Sequence, residues 1–320
     1  MKGDLTRFAF FPINNPLIIE YYHQQKNLFW VPSEIDYSND RTSWDQLDTD
    51  TQDYTKFLLF LFAQLDGIVN ENLAKNFIEE TSFAKECSNF YTMQAAIETI
   101  HNETYSNLIK AFIRDPEEQL RGLNSIANYP TIKKIAEWAF DYMDPSRNLL
   151  ERVVAFCCIE GIIFSSAFAG IYWLKRRNVL PGLCKANEWI ARDEAIHTRF
   201  GVALYHHMAF IWQKMSPLSQ ETIHNIIRSA VDVTSEFTRT SMNCELVGLD
   251  AEDMITYVEA TADSLSKSLG YNAIYKSKNR LDWMVVIALP NKSNFFETKV
   301  SEYAREDGDG EFVFDLDIAF

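Results

Sequence analysis

Twice in this chain a single carboxylate sits inside a run of apolar residues, and each is followed, one helix and one turn later, by a Glu-x-x-His pair. Asp66 lies in FLLFLFAQLDGIV and precedes Glu98 and His101; Glu160 lies in VVAFCCIEGIIF and precedes Glu194 and His197. The separation is 32 residues from Asp66 to Glu98 and 34 from Glu160 to Glu194. On an α-helix, positions i and i+3 share a face, so one turn of Glu-x-x-His presents two ligand side chains. A carboxylate packed into an apolar interior must be protonated, paired or bound to a metal. The lysines and arginines stand at the ends of these helices, where ion pairing with either acid is hard to arrange. One such acid is satisfied by a proton shared with a neighbour; for two, that account weakens.

The rest of the chain is compatible with four long helices at the centre of a larger all-α domain. Tyr54 to Ile78 and Ser82 to Ile113 carry apolar residues at helical period, and Pro116 to Asn128 and Thr131 to Tyr142 predict two shorter helices. Asp144-Pro145-Ser146 is expected to cap the central helix, Leu183 to Gln213 to be helical, Ser216-Pro217 to start another helix, and Asp250 to Leu269 to form a further one. No period-two strand pattern stands out. Val153 to Leu174 is long enough to cross a bilayer, but Glu160 stands inside it and basic residues flank both ends, so it reads as a helix buried on every side in protein. With 47% hydrophobic residues and no linker before residue 290, one domain over 1–300 and a tail over 301–320 is the economical division. The tail, with Gly308 and Gly310 among acids and then spaced apolar residues, suits either a frayed end or a flexible docking peptide.

Charge and cysteine content exclude several classes of function. A net charge of −15 repels phosphate backbones, and Lys175-Arg176-Arg177 is too short a basic cluster to reverse that, so no nucleic-acid partner is expected. The five cysteines are odd in number and contain no Cys-x-x-Cys, which fits a reducing compartment rather than a disulfide framework. The first residues do not form a signal peptide, and a cytoplasmic protein (the host cytoplasm for a viral one) is expected.

Four Glu-x-x-His pairs occur, but those at Glu20/His23 and Glu221/His224 are discarded: no helix precedes the first to supply a carboxylate, and the second lies beside Ser-Pro on a more polar helix. What remains is carboxylate, Glu-x-x-His, carboxylate, Glu-x-x-His on successive helices, the ligand inventory of a dinuclear site in a ferritin-like bundle. Asp66, Glu98, His101, Glu160, Glu194 and His197 are hard ligands that suit two iron or manganese ions better than zinc or copper. Tyr105, one turn after His101, falls on the same face, either as ordinary core or as an oxidisable group beside the metal. Asp193 reads either as an acceptor for a ligand histidine or as a surface acid. Phe164, Phe168 and Ile190 would wall the site.

The segments LDGIVNENL (65–73), AIETIHNETYSNLI (96–109), VAFCCIEGIIFSSAFAGIYWLK (154–175) and RDEAIHTRF (192–200) resemble the small, radical-generating subunit of class I ribonucleotide reductase, in its eukaryotic and DNA-virus branch. The short N-terminus leans towards a viral or minimal member. The resemblance implies a ribonucleoside-diphosphate reductase subunit, an oxidoreductase active only with its large subunit. It also implies a homodimer, and an oxo-bridged di-iron centre held by the six ligands above, manganese being the alternative metal. Further, it implies a stable tyrosyl radical on Tyr105 and a transfer route through His101, Asp193 and Trp30 to Tyr303 and the large subunit. The last seven residues, FDLDIAF, resemble the family's docking peptide, with Phe314, Leu316, Asp317 and Phe320 in place; Asp315, Ile318 and Ala319 depart from it, which bears on which large subunit is the cognate one. Two other functions compete: a ferritin-like oxidase without radical transfer, and a metal-free helical scaffold.

Overall fold

In the computed structural model, residues 8–242, 246 and 248–287 are described. The main helices are α1 Pro16–Asn27, α2 Thr49–Asn72, α3 Lys85–Phe112, α4 Pro130–Met143, α5 Leu149–Arg176, α6 Pro181–His206, α7 Gln220–Ser241 and α8 Ala251–Ser268. Short helices at Asp40–Asp45, Pro116–Leu123, Ser125–Asn128 and Asp282–Ile287 connect or extend them, and no strand occurs among the described residues. The expectation of an all-α, ferritin-like bundle holds. The tail over 301–320 lies outside the described residues.

Helix starts follow local chemistry. Asp48 caps α2 by accepting from Thr51 N at 2.8 Å, and Asp250 caps α8 by accepting from Glu252 N and Asp253 N. Two predicted starts are corrected. Asp144 does not cap α5: it ends α4 and its carboxylate accepts from Ser146 N, so Asn148, accepting from Leu150 N, becomes the cap. Pro217 lies outside α7, which begins after Ser219, whose hydroxyl accepts from Thr222 N.

The centre of the molecule is two antiparallel pairs, α2 with α3 and α5 with α6, packed against one another; α1 lies across α3 and α6, and α4, α7 and α8 cover α5. Two helical runs, Thr49–Glu80 and Leu149–Arg176, are long and apolar enough to cross a membrane, yet the apolar stretch of the second is wholly buried inside the bundle. That is the packed core helix expected from its sequence. At its N-terminal end Arg152 is also buried, forked onto both oxygens of Glu80 at 2.7 Å, which ties α5 to the end of the α2 run. The α5 helix is not regular throughout: Ile159–Ile163 forms a π turn, and it carries Glu160. An inserted π turn rotates the residues after it relative to those before it, and such turns gather at functional sites.

Candidate metal centre

Four helices bring the predicted ligands to one buried point. On α3, Gln94, Glu98, His101 and Tyr105 recur at spacings of four, three and four and so form one stripe. On α6, Trp189, Asp193 and His197 form another, with Glu194 beside it. The first turn of α6 is held by Asp40, which accepts from Gly182 N at 2.8 Å and Leu183 N at 2.7 Å. Gly182 is required there, because a Cβ would lie 2.7 Å from the Asp36 carbonyl. Asp66 on α2 and Glu160 on α5 complete the set.

Asp66, Glu98, His101 and Glu160 are fully buried, and Glu194 and His197 are buried almost as completely. Ligand atoms of Glu98, Glu160, Glu194 and His197 all lie within 4.8 Å of one another. Each of two glutamates divides its oxygens between the two imidazoles. Glu194 places Oε2 2.7 Å from His197 Nδ1 and Oε1 2.9 Å from His101 Nδ1. Glu98 places Oε1 3.0 Å from His197 Nδ1 and Oε2 3.4 Å from His101 Nδ1. Glu160 stands at the His197 end, 3.9 Å from its Nδ1. Glu98 and Glu194 therefore lie between two histidines that face each other across the site, their rings 6.3 Å apart.

Many of these atoms make no hydrogen bond. Both oxygens of Asp66, Oε2 of Glu98 and of Glu160, Oε1 of Glu194, Nδ1 of His101 and Nε2 of His197 are buried without a hydrogen bond, some of them held only by the ion-pair contacts just given. Three of them, both oxygens of Asp66 and Nε2 of His197, have no ion-pair contact either, and burying those costs several kcal/mol in total, at about 1–3 kcal/mol each. The donor set fits two divalent cations: four carboxylates balance their charge, and oxygen with imidazole nitrogen is what iron or manganese accepts.

The electrostatics say the same. Burial, and then the charge of Glu98, pushes the Asp66 carboxyl well above its ordinary range, and burial with Glu194 does so for Glu160. Burial opposes a charge on His101 and His197, but the surrounding carboxylates together outweigh it and raise both: Glu194 with Asp193 and Glu98 at His101, and Glu194 with Glu98 and Glu160 at His197. Glu194 itself, although buried, is held far below the usual carboxylate range by the two imidazoles. Without metal, the site accommodates itself by holding protons.

Tyr105 is fully buried and its hydroxyl has no hydrogen-bond partner. Its ring stacks on Phe62 at 4.5 Å, and Phe62 in turn packs on Phe164 at 5.3 Å and Phe168 at 5.0 Å. Burial and the charges of Asp66 and Glu194 disfavour its phenolate. On the other side of the centre, Asp193 Oδ2 lies 3.3 Å from His101 Nε2 and accepts from Trp30 Nε1 at 2.8 Å. Arg192 reaches the other oxygen of Asp193 at 3.2 Å. Of the two readings left open for Asp193, the surface acid is overturned, since the side chain is fully buried. Ile190 is a core residue. Tyr303, Phe314, Leu316, Asp317 and Phe320 lie outside the described residues.

Two neighbours of the site escaped the sequence reading. Gln94 donates to Glu98 Oε1 at 3.3 Å and Glu160 Oε1 at 3.1 Å. Its only sequence signal is a position one turn before Glu98. Trp189 packs edge-on against Trp30 at 5.3 Å; the signal was an aromatic one turn before Asp193.

Residues 7–280 match the family described as ribonucleotide reductase, small chain. The ribonucleoside-diphosphate reductase small subunit of Dictyostelium discoideum is 42% identical over 306 residues, 95% of this chain and 88% of that one. The corresponding small chain of vaccinia virus (strain Ankara) is 40% identical over 316 residues, 98% of this chain and 97% of that one. Among solved structures, the Saccharomyces cerevisiae ribonucleotide reductase Rnr4 homodimer superposes with a TM-score of 0.78 at 30% identity, covering 88% of this chain and 87% of the other.

Proposed function

Because this chain belongs to the ribonucleotide reductase small-chain family, whose members are oxidoreductase subunits acting with a large one, we propose that it stores an oxidising equivalent on Tyr105 and hands it to that large subunit through Asp193 and Trp30. The observation that carries this reading is the hydrogen-bonded line Trp30–Asp193–His101, which runs into a buried cluster of carboxylates and imidazoles. A plain oxidase would need the cluster but not the line.

Asp66, Glu98, His101, Glu160, Glu194 and His197 would hold two metal ions, Glu98 and Glu194 being placed to serve both. A bound pair of iron ions supplies a one-electron oxidant for Tyr105 when it reduces dioxygen; the same ligands accept manganese. The surrounding residues do the rest. Phe62, Phe164 and Phe168 keep water from the Tyr105 ring, so a radical there is shielded from reductants. The unpartnered hydroxyl of Tyr105 keeps its proton until oxidation removes it. Asp193 accepts from the Trp30 indole, fixes the ring beside His101, and stabilises positive charge on it. Tyr303 and the terminal Phe314, Leu316, Asp317 and Phe320 would carry the equivalent onward and dock the large subunit. A homodimer, the form of the yeast relative, is the proposed assembly.

The test is electron paramagnetic resonance after anaerobic Fe(II) loading and exposure to oxygen. A tyrosyl signal broadened by nearby iron is expected, and it should be missing from Tyr105→Phe at equal iron content. A chain that oxidises its iron but yields no such signal would return the reading to the plain oxidase. Removing residues 314–320 should leave the signal intact and abolish reduction of ribonucleotides with the large subunit; retained reductase activity would defeat the docking role.

A further inference from the structure

The stretch from Trp30 to Trp44 runs along the same stripe of α3 that carries part of the candidate centre. At one end the Trp30 ring stacks over His101 at 6.1 Å; at the other the Trp44 ring stacks on Phe112 at 4.6 Å. His101, Tyr105, Leu108 and Phe112 recur at spacings of four, three and four, so both anchors stand on one helix face with Tyr105 between them. Tyr37 is the midpoint of that stretch, and Pro32–Glu34 and Asp40–Asp45 on either side of it both touch α3. Its ring is half-buried against the core, beside Gly182, where a Cβ would lie 2.8 Å from Tyr37 Cδ1. Its hydroxyl is turned inward: like that of Tyr105, it is buried and makes no hydrogen bond. Burial, and then the charge of Asp40, keeps Tyr37 a neutral phenol, and a charge on Tyr37 would in turn act on Tyr105. Tyr172 acts on Tyr105 in the same way but is buried, so of the two only Tyr37 leads from Tyr105 to the surface.

We propose that Tyr37 is a second radical-bearing residue, which exchanges a hydrogen atom with Tyr105 and presents the stored oxidising equivalent to small phenolic donors at the surface. This rests on the radical role proposed above for Tyr105. In the exchange one electron and one proton leave the Tyr37 hydroxyl, and one electron and one proton are taken up by the Tyr105 oxygen. An O–H bond breaks on Tyr37 and one forms on Tyr105. Both residues are uncharged phenols before and after as radical or hydroxyl, so no net charge is moved into the buried space. A phenolic donor then gives one electron and one proton to the Tyr37 radical and leaves as its own phenoxyl radical. The phenylalanines around Tyr105 keep such a donor from reaching it directly. The outlet shares no residue with the Asp193–Trp30 line, and it discharges the radical instead of delivering it to the large subunit.

The experiment uses the full chain, loaded with Fe(II) without oxygen and then exposed to oxygen; the tyrosyl signal is followed by electron paramagnetic resonance after hydroquinone is added. Tyr37→Phe removes only an oxygen that makes no hydrogen bond, so the fold is kept. Its initial signal should match that of the parent at equal iron content, while loss of the signal to hydroquinone should slow several-fold. Equal rates of loss in the two chains would overturn the outlet. Absence of any tyrosyl signal in the parent would instead overturn the role of Tyr105, and the outlet with it. Placing aminotyrosine, which is more easily oxidised, at position 37 reads the exchange directly: the tyrosyl signal should give way to an aminotyrosyl one, and an unchanged tyrosyl signal would defeat the exchange. A further readout needs no metal. A photo-excited ruthenium oxidant in solution should oxidise Tyr105 in the metal-free chain, mapped by peptide mass spectrometry, and several-fold less in Tyr37→Phe. Equal Tyr105 oxidation in the two would count against the proposal whatever the loaded protein does.

Discussion

Gln94 shows how much a neutral side chain decides in a site of charges. Its amide is fully buried, donates to one ligand glutamate on its own helix and one on α5, and keeps an unpartnered carbonyl oxygen. It fixes how Glu98 and Glu160 face each other without adding charge. Groups that orient metal ligands in this way are worth about 10–100-fold in metal affinity. Gln94→Met keeps the length and removes both donors, so Fe(II) or Mn(II) should bind more weakly by that factor in a calorimetric titration. Unfolding of the metal-free variant serves as the folding control. Unaltered affinity would reduce Gln94 to a space-filling role.

Among the elements, α5 and α6 matter most, because each carries candidate ligands and each depends on the other for its position. Gly201 of α6 lies against Cys157 of α5, one turn before Glu160; a Cβ at Gly201 would sit 2.4 Å from the Cys157 sulfur. Cys157 is fully buried, and its thiol is directed at the Thr198 carbonyl of α6 at 3.8 Å. Gly201→Ala should therefore destabilise the fold by about 1–3 kcal/mol through overpacking. Cys157→Ala in the same chain should restore most of the loss, and chemical denaturation of the single and double variants measures both. If the second change restores nothing, the cost of Gly201→Ala arises elsewhere. The π turn at Ile159–Ile163 belongs to this scale too. The apolar run from Val153 to Leu174 predicts one helix buried on every side, and a local insertion of this kind leaves no mark in a run that carries no period.

For the whole molecule, the buried cluster joins α2, α3, α5 and α6, so its protonation is linked to stability. In metal-free protein Asp66 and Glu160 have raised pKa values, which makes their ionisation, and hence folding, less favourable above their unfolded values near pH 4. His101 and His197 are also raised, and the stability they add is present below an unfolded value of about 6.5 and lost as pH rises through the folded one. Glu194 is lowered and acts oppositely, its contribution being lost only as pH falls below the ordinary carboxylate range. The melting temperature of metal-free protein should thus decline from about pH 5 to about pH 8, whereas Fe(II) or Mn(II) should raise it most at the upper end, because binding displaces protons. A metal-free melting temperature that climbs over this interval would contradict the assignment of shared protons.

The candidate ligand set was legible in the chain. Glu-x-x-His needs only the 3.6-residue period to place both side chains on one face, and an acid inside an apolar helix announces a buried charge wherever the helix packs. Asp66, Glu98, His101, Glu160, Glu194 and His197 follow from those two local rules, and the all-α fold from the periodicity around them. What tertiary structure alone decided is every relation between helices. Glu98 and Glu194 each turn one oxygen to His101 and one to His197 only because α3 and α6 meet at one depth. Gln94 reaches Glu160 across 66 positions of sequence, and Trp30 bonds Asp193 across 163. Helical period orders residues along one face of one helix; which faces meet, and at what height, is set by the packing of the complete bundle.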